Sequence, residues 1–483
     1  MRTLALLCLL TACGDVNAST DADLDGGHDA ALDATPDGSR DAGEDAADDD
    51  AGARDPLRIA DRSIVAWLRA DRADPWWIEE RIAPWPRVEG DRDPGRRAIV
   101  HDGTEVYAPG DDERLIDACL HASGQWTAVG VDAARRPFLV RGDHAGAIAR
   151  AILDDPELAE DPRAWIETPS DTLRVGALSE ASPSVDADGD DAVVALMSES
   201  HAILLHRWEF TEGAFVRGAR ALLSPARVAT PFLPIGASYD NFDAVVAPYL
   251  VHLAVAPMGS AHEGRAFVVA LADRGRIDRH NALMGTDLAL LRSGPGEHPS
   301  DALVFGVDRD GSVRFTVVAG TVDREDEPFG IAASRERVAI VGRTRREPGR
   351  DNTELHAFIA QIDHQGRVLA AGTWDGARSA LAQVAAFAPD GSLWVGGTHD
   401  WTQNPTGISL YEPGTPFLLA ASAEGWIDRS ATLATTRGHA ELRALAVGDD
   451  VAAGGLENGP LTHTGDSDPS RIRSDAWASW SAR

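Results

Sequence analysis

The stretch that decides the fold runs from Ala357 to Val368 and reads AFIAQIDHQGRV. It opens with an apolar run, which Asp363 and Gly366 interrupt before the chain turns apolar again at Val368. Aromatic and β-branched residues favour extended strands, whereas Asp and Gly accept the positive φ of a tight turn. The stretch therefore predicts a β-hairpin.

Related phrases recur along the chain, spaced 36 to 65 residues apart, and we count seven copies. They begin at Pro137, Ala202, Ala266, Ala302, Ala357, Pro416 and Ala476. Further hairpin patterns lie upstream of these phrases, at residues 117–130, 243–255, 281–294, 330–342, 384–397 and 442–455. Two hairpins per repeat predict a unit of four antiparallel strands.

Four-stranded units repeated four to eight times are typical of a β-propeller. We therefore predict an all-β protein whose residues 98–483 form a seven-bladed β-propeller. Residues 56–97 are predicted to be an N-terminal cap, packed through Trp76, Trp77 and Trp85. The last copy is truncated, so its outer strand must come from elsewhere, and we expect residues 98–109 to supply it and close the ring.

The phrase at Ala357, followed by PDGSLWVGGT at residues 389–398, resembles the bacterial β-propeller repeats of the seven-bladed, SBBP-like kind. The resemblance is strongest over residues 302–455. It implies an extracytoplasmic protein whose repeats are structural, and it assigns no catalytic residue.

The N-terminus has the pattern of an export signal, predicted to span residues 1–12. The apolar run from Leu4 to Leu10 is too short to cross a bilayer. The LTAC sequence that ends at Cys13 resembles the lipobox of bacterial lipoproteins, which implies a lipid-modified Cys13 and membrane attachment. Gly14, rather than Asp, follows the cysteine, and in that family this favours the outer membrane. The alternative is an ordinary cleaved signal with a chance cysteine.

Residues 13–55 differ in composition from the rest of the chain. Residues 14–55 contain 14 acidic side chains, two arginines and no aromatic residue. Such a segment cannot bury enough apolar surface to offset its ordering entropy, and we predict a disordered tether. Residues 21–26 resemble the start of a calcium loop, but the twelfth position is Leu32 rather than Glu, so we attribute the match to chance.

Charge and motif content exclude several functions. The chain has a formal charge of −32, and its 45 basic residues are all arginine. We find no basic patch for nucleic acid, no nucleophile elbow and no histidine spacing for a metal, so we expect no cofactor, no metal and a monomer. Cys119 is predicted to be a buried, inert thiol, and residues 186–191 (DADGDD) are predicted to be a solvated hairpin turn.

The candidate ligand contacts are His399, Asp400 and Trp401, in the long loop after the second strand of a repeat. An exposed indole beside polar groups could bind a glycan or a peptide, or instead fill a gap between blades. Two more such loops, at residues 343–356 and 456–475, complete the predicted surface. Two function classes stay open: a non-enzymatic binding or scaffold protein, and a propeller enzyme acting on a sugar or lactone at the central channel.

Overall fold

The structure is a computed structural model of the 483-residue chain. It describes residues 57–60, 62–81, 97–134, 136–153, 166–167, 172–173, 183–197, 202–225, 251–291, 300–322, 324–345, 355–374, 380–399, 415–421, 427–433, 439–448, 450–458 and 474–482. All of them belong to one compact unit, residues 45–483. The predicted signal, Cys13 and the acidic tether lie outside the described residues.

The described strands form seven four-stranded antiparallel sheets, numbered here in chain order. The chain begins with β1 (Leu57–Ala60), which joins the last sheet. Sheet 1 contains β2 (Arg62–Arg69), β3 (Trp76–Arg81), β4 (Arg97–His101) and β5 (Thr104–Tyr107). Sheet 2 contains β6 (Arg114–Leu120), β7 (Trp126–Val131), β8 (Pro137–Asp143) and β9 (Gly146–Ile152). A two-stranded ladder, β10 (Ile166–Glu167) and β11 (Thr172–Leu173), follows.

The remaining sheets repeat the same order. Sheet 3 contains β12 (Ser184–Asp188), β13 (Asp191–Met197), β14 (Ile203–Thr211) and β15 (Ala214–Ser224). Sheet 4 contains β16 (Val251–Val255), β17 (Ala266–Asp273), β18 (Ser300–Val307) and β19 (Val313–Ala319), with helix α1 (Arg274–Met284) between its middle strands. Sheet 5 contains β20 (Glu325–Ala333), β21 (Arg337–Arg345), β22 (Leu355–Asp363) and β23 (Val368–Trp374). Sheet 6 contains β24 (Leu381–Phe387), β25 (Leu393–His399), β26 (Thr415–Ala421) and β27 (Ile427–Thr432). Sheet 7 contains β28 (His439–Val447), β29 (Asp450–Asn458), β30 (Ser474–Ala482) and β1.

This arrangement confirms the predicted all-β propeller. The first strands of successive sheets contact one another, and that of sheet 7 contacts that of sheet 1, so they surround a central channel. Each neighbouring pair of sheets shares its own cluster of buried apolar residues. Second and third strands are therefore covered on both faces, which explains their continuous apolar sequences.

The antiparallel order gives the propeller two distinct faces. On the turn face, tight turns join the first strand to the second and the third to the fourth. Gly311 and Gly366 occupy equivalent third-to-fourth turns with φ of 84° and 86°, as the aligned phrases predict. On the loop face lie the connections from second to third strands and from one sheet to the next.

The repeat count needs a correction, although the number of sheets equals the number of phrases. The phrases at Ala266 and Ala302 are the second and third strands of one sheet, not two repeats. A repeat was also missed, because Arg97–His101 is the third strand of sheet 1. The two errors cancel. The long insertion in sheet 4 spreads one repeat over the length of two.

The closing strand was also misplaced. Leu57–Ala60 pairs with β30, Leu57 opposite Ala478 and Ala60 opposite Asp475, and so completes sheet 7. Residues 97–107 instead complete sheet 1. The predicted cap at 56–97 is wrong for the same reason, since β2 and β3 are propeller strands. Trp76 and Trp77 are 3% and 2% exposed there, in the apolar clusters that sheet 1 shares with sheets 2 and 7. Trp85 lies outside the described residues.

The predicted hairpin at residues 281–294 is also wrong. Helix α1 ends at Met284, and residues 286–291 form no strand. The Asn281 side chain holds the helix end: its oxygen accepts from Thr286 Oγ1 and Leu288 N, each at 2.8 Å. Among the described residues, no helix is long and apolar enough to cross a membrane.

Candidate functional site

Of the three predicted ligand contacts, His399 is described, and it ends β25 on the loop face. Its ring centroid lies 6.2 Å from that of Trp374 in sheet 5 and 6.1 Å from that of Phe417 in sheet 6. His399 is half-buried in the seam between the two sheets. Asp400 and Trp401 lie outside the described residues, and ligand binding by this group stays a prediction.

The three predicted loops join second to third strands in sheets 5, 6 and 7 and therefore belong to the loop face. Their described ends are the flanking strand residues, and the interiors of all three loops lie outside the described residues. The loop surface thus stays a prediction too. A different set of described side chains, from sheets 6, 7 and 1, interacts on this face.

First strands carry a recurrent irregularity close to the loop face. In five of the seven sheets, pairing between the first and second strands skips a residue close to the loop face, as a β-bulge does. These skipped residues are Val65, Ile116, Phe329, Gln383 and Arg443, and sheet 1 skips a second residue, Leu68, closer to the turn face. All five are half-buried. Bulges re-aim side chains, and here they set Gln383 and Arg443 at the channel mouth.

We define the mouth cluster as Glu80, Arg97, Gln383, Glu441 and Arg443. Glu441 accepts hydrogen bonds from Gln383 Nε2 at 2.6 Å and from Arg443 Nη2 at 2.8 Å. Arg443 Nη1 also lies 3.6 Å from Glu80 Oε2, and Arg97 Nε lies 3.9 Å from the same oxygen. The cluster therefore joins sheets 6, 7 and 1 in sequence.

The electrostatics of the pair Glu441 and Arg443 favour the charged form of each. Burial alone would raise the pKa of Glu441, but the charge and hydrogen bond of Arg443 outweigh it and the pKa is lowered. Burial likewise opposes the charge of Arg443, whereas Glu441 and Glu80 raise its pKa. Glu441 thus stays a carboxylate at neutral pH, which suits it as a hydrogen-bond acceptor.

Two aspartates join the next sheets around the ring, sheet 2 to sheet 3 and sheet 3 to sheet 4. Asp117 in β6 accepts from Val185 N at 3.0 Å, and Asp186 in β12 accepts from Val255 N at 2.7 Å. Each carboxylate therefore bonds the first strand of the following sheet. Burial raises the pKa of Asp186 to about 6, with Asp117 contributing. The predicted turn at residues 186–191 is confirmed as a hairpin, but Asp188 is buried and Asp186 is half-buried rather than solvated.

On the turn face, four arginines cross the seams between consecutive sheets. Each donates to a backbone carbonyl of the next sheet: Arg141 to Asp190, Arg207 to Gly264, Arg265 to His364, and Arg337 to Gly391. All four are buried. A guanidinium can hold such a carbonyl and still bond its own sheet. The arginines are thus structural, a role that composition alone did not indicate.

The described part of the chain contains no candidate metal site, and its one cysteine, Cys119, is not activated. No group of three or more His, Cys, Asp or Glu residues there could hold a metal ion. Cys119 is buried, as predicted, and burial raises the pKa of its thiol well above the usual value. A thiol with a raised pKa is a poor nucleophile.

Comparison with known proteins gives similarity at the level of structure alone. No family model matches the chain, and no curated protein matches it in sequence. Among solved structures, BamB from Moraxella catarrhalis is 11% identical, with 86% of this chain and 99% of that chain covered at a TM-score of 0.31. Sqt1 from Saccharomyces cerevisiae is 7% identical, with 89% and 99% covered and a TM-score of 0.38.

A lectin from Aleuria aurantia is also similar, at 10% identity, with 77% of this chain and 94% of that chain covered and a TM-score of 0.35. These scores are too low to assign a function. The propeller fold assigned here is based on the sheet order and the contacts between sheets.

Proposed function

We propose that this chain is a lipid-anchored, extracytoplasmic binding or scaffold protein, a single closed ring of seven blades held at the outer membrane through Cys13. The lipobox-like sequence before Cys13 and the resemblance to SBBP-like repeats support the anchor and the location. Seven four-stranded sheets, with the last contacting the first, support the closed ring.

One observation supports a binding role: the ionisable groups around the channel hold neighbouring sheets together. Glu441 is held by Arg443 and Gln383, and Asp117 and Asp186 each hold a backbone amide of the next sheet. A general acid or base must lie within hydrogen-bond reach of the substrate atom that it protonates or deprotonates. Carboxylates committed to joining blades are poorly suited to that task and well suited to a rigid frame.

A rigid frame with variable loops is how many scaffolds present recognition surfaces. The proposed surface is built from residues 343–356, 398–415 and 456–475, on three consecutive sheets, with Trp401 as its principal contact. The acidic tether at residues 13–55 would hold this surface away from the membrane, since like charges extend a chain.

The experiment uses a purified chain from Pro56 to Arg483, which retains every described strand. It is screened against glycan and peptide arrays and against common hydrolase substrates. We expect binding without turnover, weakened about thirtyfold or more by Trp401→Ala, since anchor aromatics contribute about 2 kcal/mol or more. Met258→Ala, which alters a 63%-exposed side chain on the turn face, is the control and leaves binding unchanged.

Turnover that survives Trp401→Ala and disappears with Glu441→Gln would instead establish the enzyme alternative. Equal loss of binding in Met258→Ala would show that the effect is not confined to the loop face.

A further inference from the structure

The outer strands of the seven sheets differ in how their free edges are protected. Each outer strand pairs with the third strand of its own sheet and with no other described strand. Such an edge carries a row of unpaired amide and carbonyl groups, and proteins commonly protect it with charged side chains. Six of the seven outer strands contain at least one charged residue, namely β1, β5, β9, β15, β19 and β27.

The seventh outer strand, β23 in sheet 5, contains no charged residue. It reads VLAAGTW from Val368 to Trp374. Val368 and Leu369 are 41% and 42% exposed, and no other adjacent pair of large apolar side chains is exposed in the described part of the chain. Three small residues follow, and a side chain added at Gly372 would meet no described atom within 4 Å. The free edge of sheet 5 is therefore apolar and open.

A comparison of equivalent positions supports this difference. In sheets 4, 5 and 6, pairing between the third and fourth strands skips one residue near the turn, which forms a β-bulge. The skipped residue is Arg314 in sheet 4 and Asp428 in sheet 6, but it is Leu369 in sheet 5. The neighbouring sheets thus carry a charge at the position where β23 carries a leucine.

An unprotected edge can pair with a strand of another chain, and β23 suits a second copy of itself. In an antiparallel pair centred on Ala371, all seven residues of the two strands lie side by side. Val368 then faces Trp374 of the second copy, and a β-branched residue opposite an aromatic one is a favourable cross-strand pair. Small residues occupy the middle, where the two copies come closest.

The charge of the chain does not prevent this pairing. Each copy carries a formal charge of −32, but charges more than about 8 Å apart are largely screened at physiological ionic strength. Copies that meet through one outer strand bring few side chains within that distance. Arg367 precedes the strand in sequence and Asp375 follows it, so antiparallel copies bring unlike charges to each end.

We propose that β23 pairs with β23 of a second copy of this chain, antiparallel and about a two-fold axis at Ala371. The product is a symmetric dimer of two propellers joined at the outer edges of their fifth sheets. It replaces the monomer expected from the sequence, and it goes beyond the proposed function, because the loop face of each propeller takes no part in it.

The first test is Ala371→Cys in the full chain, purified in detergent and oxidised. Facing residues of antiparallel strands have Cα atoms about 4.5–5.5 Å apart, which a disulfide spans. We expect a cross-linked dimer on a non-reducing gel. Ala149→Cys is the matched control, because Ala149 is the middle residue of β9, an outer strand that contains Arg150. Cys119 is buried, and the unmodified chain gives the background.

The second test, Ala371→Arg, needs no added cysteine. It gives β23 the kind of charge that β9 has, and two such charges would meet at the axis. Because like charges brought together in an interface cost several kcal/mol, we expect dimerisation to weaken about tenfold or more. Sedimentation velocity in detergent measures this change. Ala371 is exposed in the single propeller, so the variant should fold, and thermal unfolding checks that it does.

Several results would overturn the proposal. These are a monomer in sedimentation of the unmodified chain, equal cross-linking of Ala149→Cys and Ala371→Cys, or dimerisation of folded Ala371→Arg as tight as that of the unmodified chain. Disulfide capture of a different protein by Ala371→Cys in membranes, with no homodimer, would also overturn it and would assign this edge to another partner.

Discussion

Replacing Arg141 with Met should destabilise the propeller strongly. Arg141 is 1% exposed and donates to Asp190 O at 2.6 Å in sheet 3. It also donates to His121 Nε2 at 3.0 Å and to Gln125 Oε1 at 3.1 Å in its own sheet. Its guanidinium lies 4.8 Å from the ring centroid of Phe210. Met fills much of the aliphatic space but leaves three acceptors without this donor.

The magnitude follows from those contacts. His121 Nε2 keeps Thr127 Oγ1 as a partner at 2.7 Å, so the loss falls on the Asp190 carbonyl and on Gln125 Oε1. An unsatisfied buried acceptor costs about 1–3 kcal/mol, which sets a gross loss of a few kcal/mol. Part of it is offset, because the variant no longer buries a charge, and burial is the main cause of the lowered pKa of Arg141. We expect a net loss of about 3 kcal/mol in the free energy of unfolding.

The assay is equilibrium unfolding in urea, followed by tryptophan fluorescence and circular dichroism. Arg136→Met is the matched control: Arg136 pairs with Asp132 at 2.8 Å, but its side chain is 59% exposed, so its loss should cost under about 1 kcal/mol. The same substitution is thus compared at a buried seam and at an exposed position. A loss at Arg141 no larger than the loss at Arg136 would refute a stabilising role for the arginines that cross the seams.

Three further predictions concern closure, pH and the anchor. Deleting residues 57–60 should expose the edge of β30 and cause aggregation, whereas deleting 14–55 should leave cooperative unfolding intact; light scattering and thermal unfolding measure both. His280 is 1% exposed, and burial, with Arg276, lowers its pKa to about 4. Between pH 6.5 and 4 the unfolded state therefore binds a proton that the folded state excludes, and stability falls as the pH falls. On going from pH 8 to pH 5, the free energy of unfolding of His280→Phe should therefore rise by about 2 kcal/mol relative to that of the unmodified chain. Urea unfolding at both pH values measures this difference, and an equal pH dependence in the two chains would contradict the prediction. Cys13→Ser should release the protein from membranes or leave an uncut precursor, and a mature N-terminus other than a modified Cys13 in mass spectrometry would exclude lipidation.

The β-hairpins were predicted correctly from local sequence in most cases. Asp363 and Gly366 form the predicted turn, with Gly366 N donating to Asp363 O and the Asp363 carboxylate accepting from Arg367 N. Such contacts span a few residues, so composition and order suffice to predict them. The hairpins at 117–130, 330–342, 384–397 and 442–455 are confirmed for the same reason.

Predictions from local sequence failed where an insertion interrupted the repeat and where a strand was too short to be recognised. The helix Arg274–Met284 presents no regular apolar face, so its sequence did not distinguish it from a hairpin. Leu57–Ala60 has only four residues, too few for alternation to be recognised. Its role as the closing strand depends on pairing with β30, at the other end of the chain.

The mouth cluster and the arginines that cross the seams were determined by tertiary structure alone. Second and third strands are buried on both faces, so their apolar sequences carry no information about which sheet faces which. Glu80 and Arg443 come from opposite ends of the chain, and Arg141 bonds a carbonyl 49 residues away. Sequence determined where the strands turn, because that depends on local φ preferences and hydrogen bonds. The packing of neighbouring sheets, including that of sheet 7 on sheet 1 at ring closure, determined which charges meet, because only this packing brings residues distant in sequence within bonding distance.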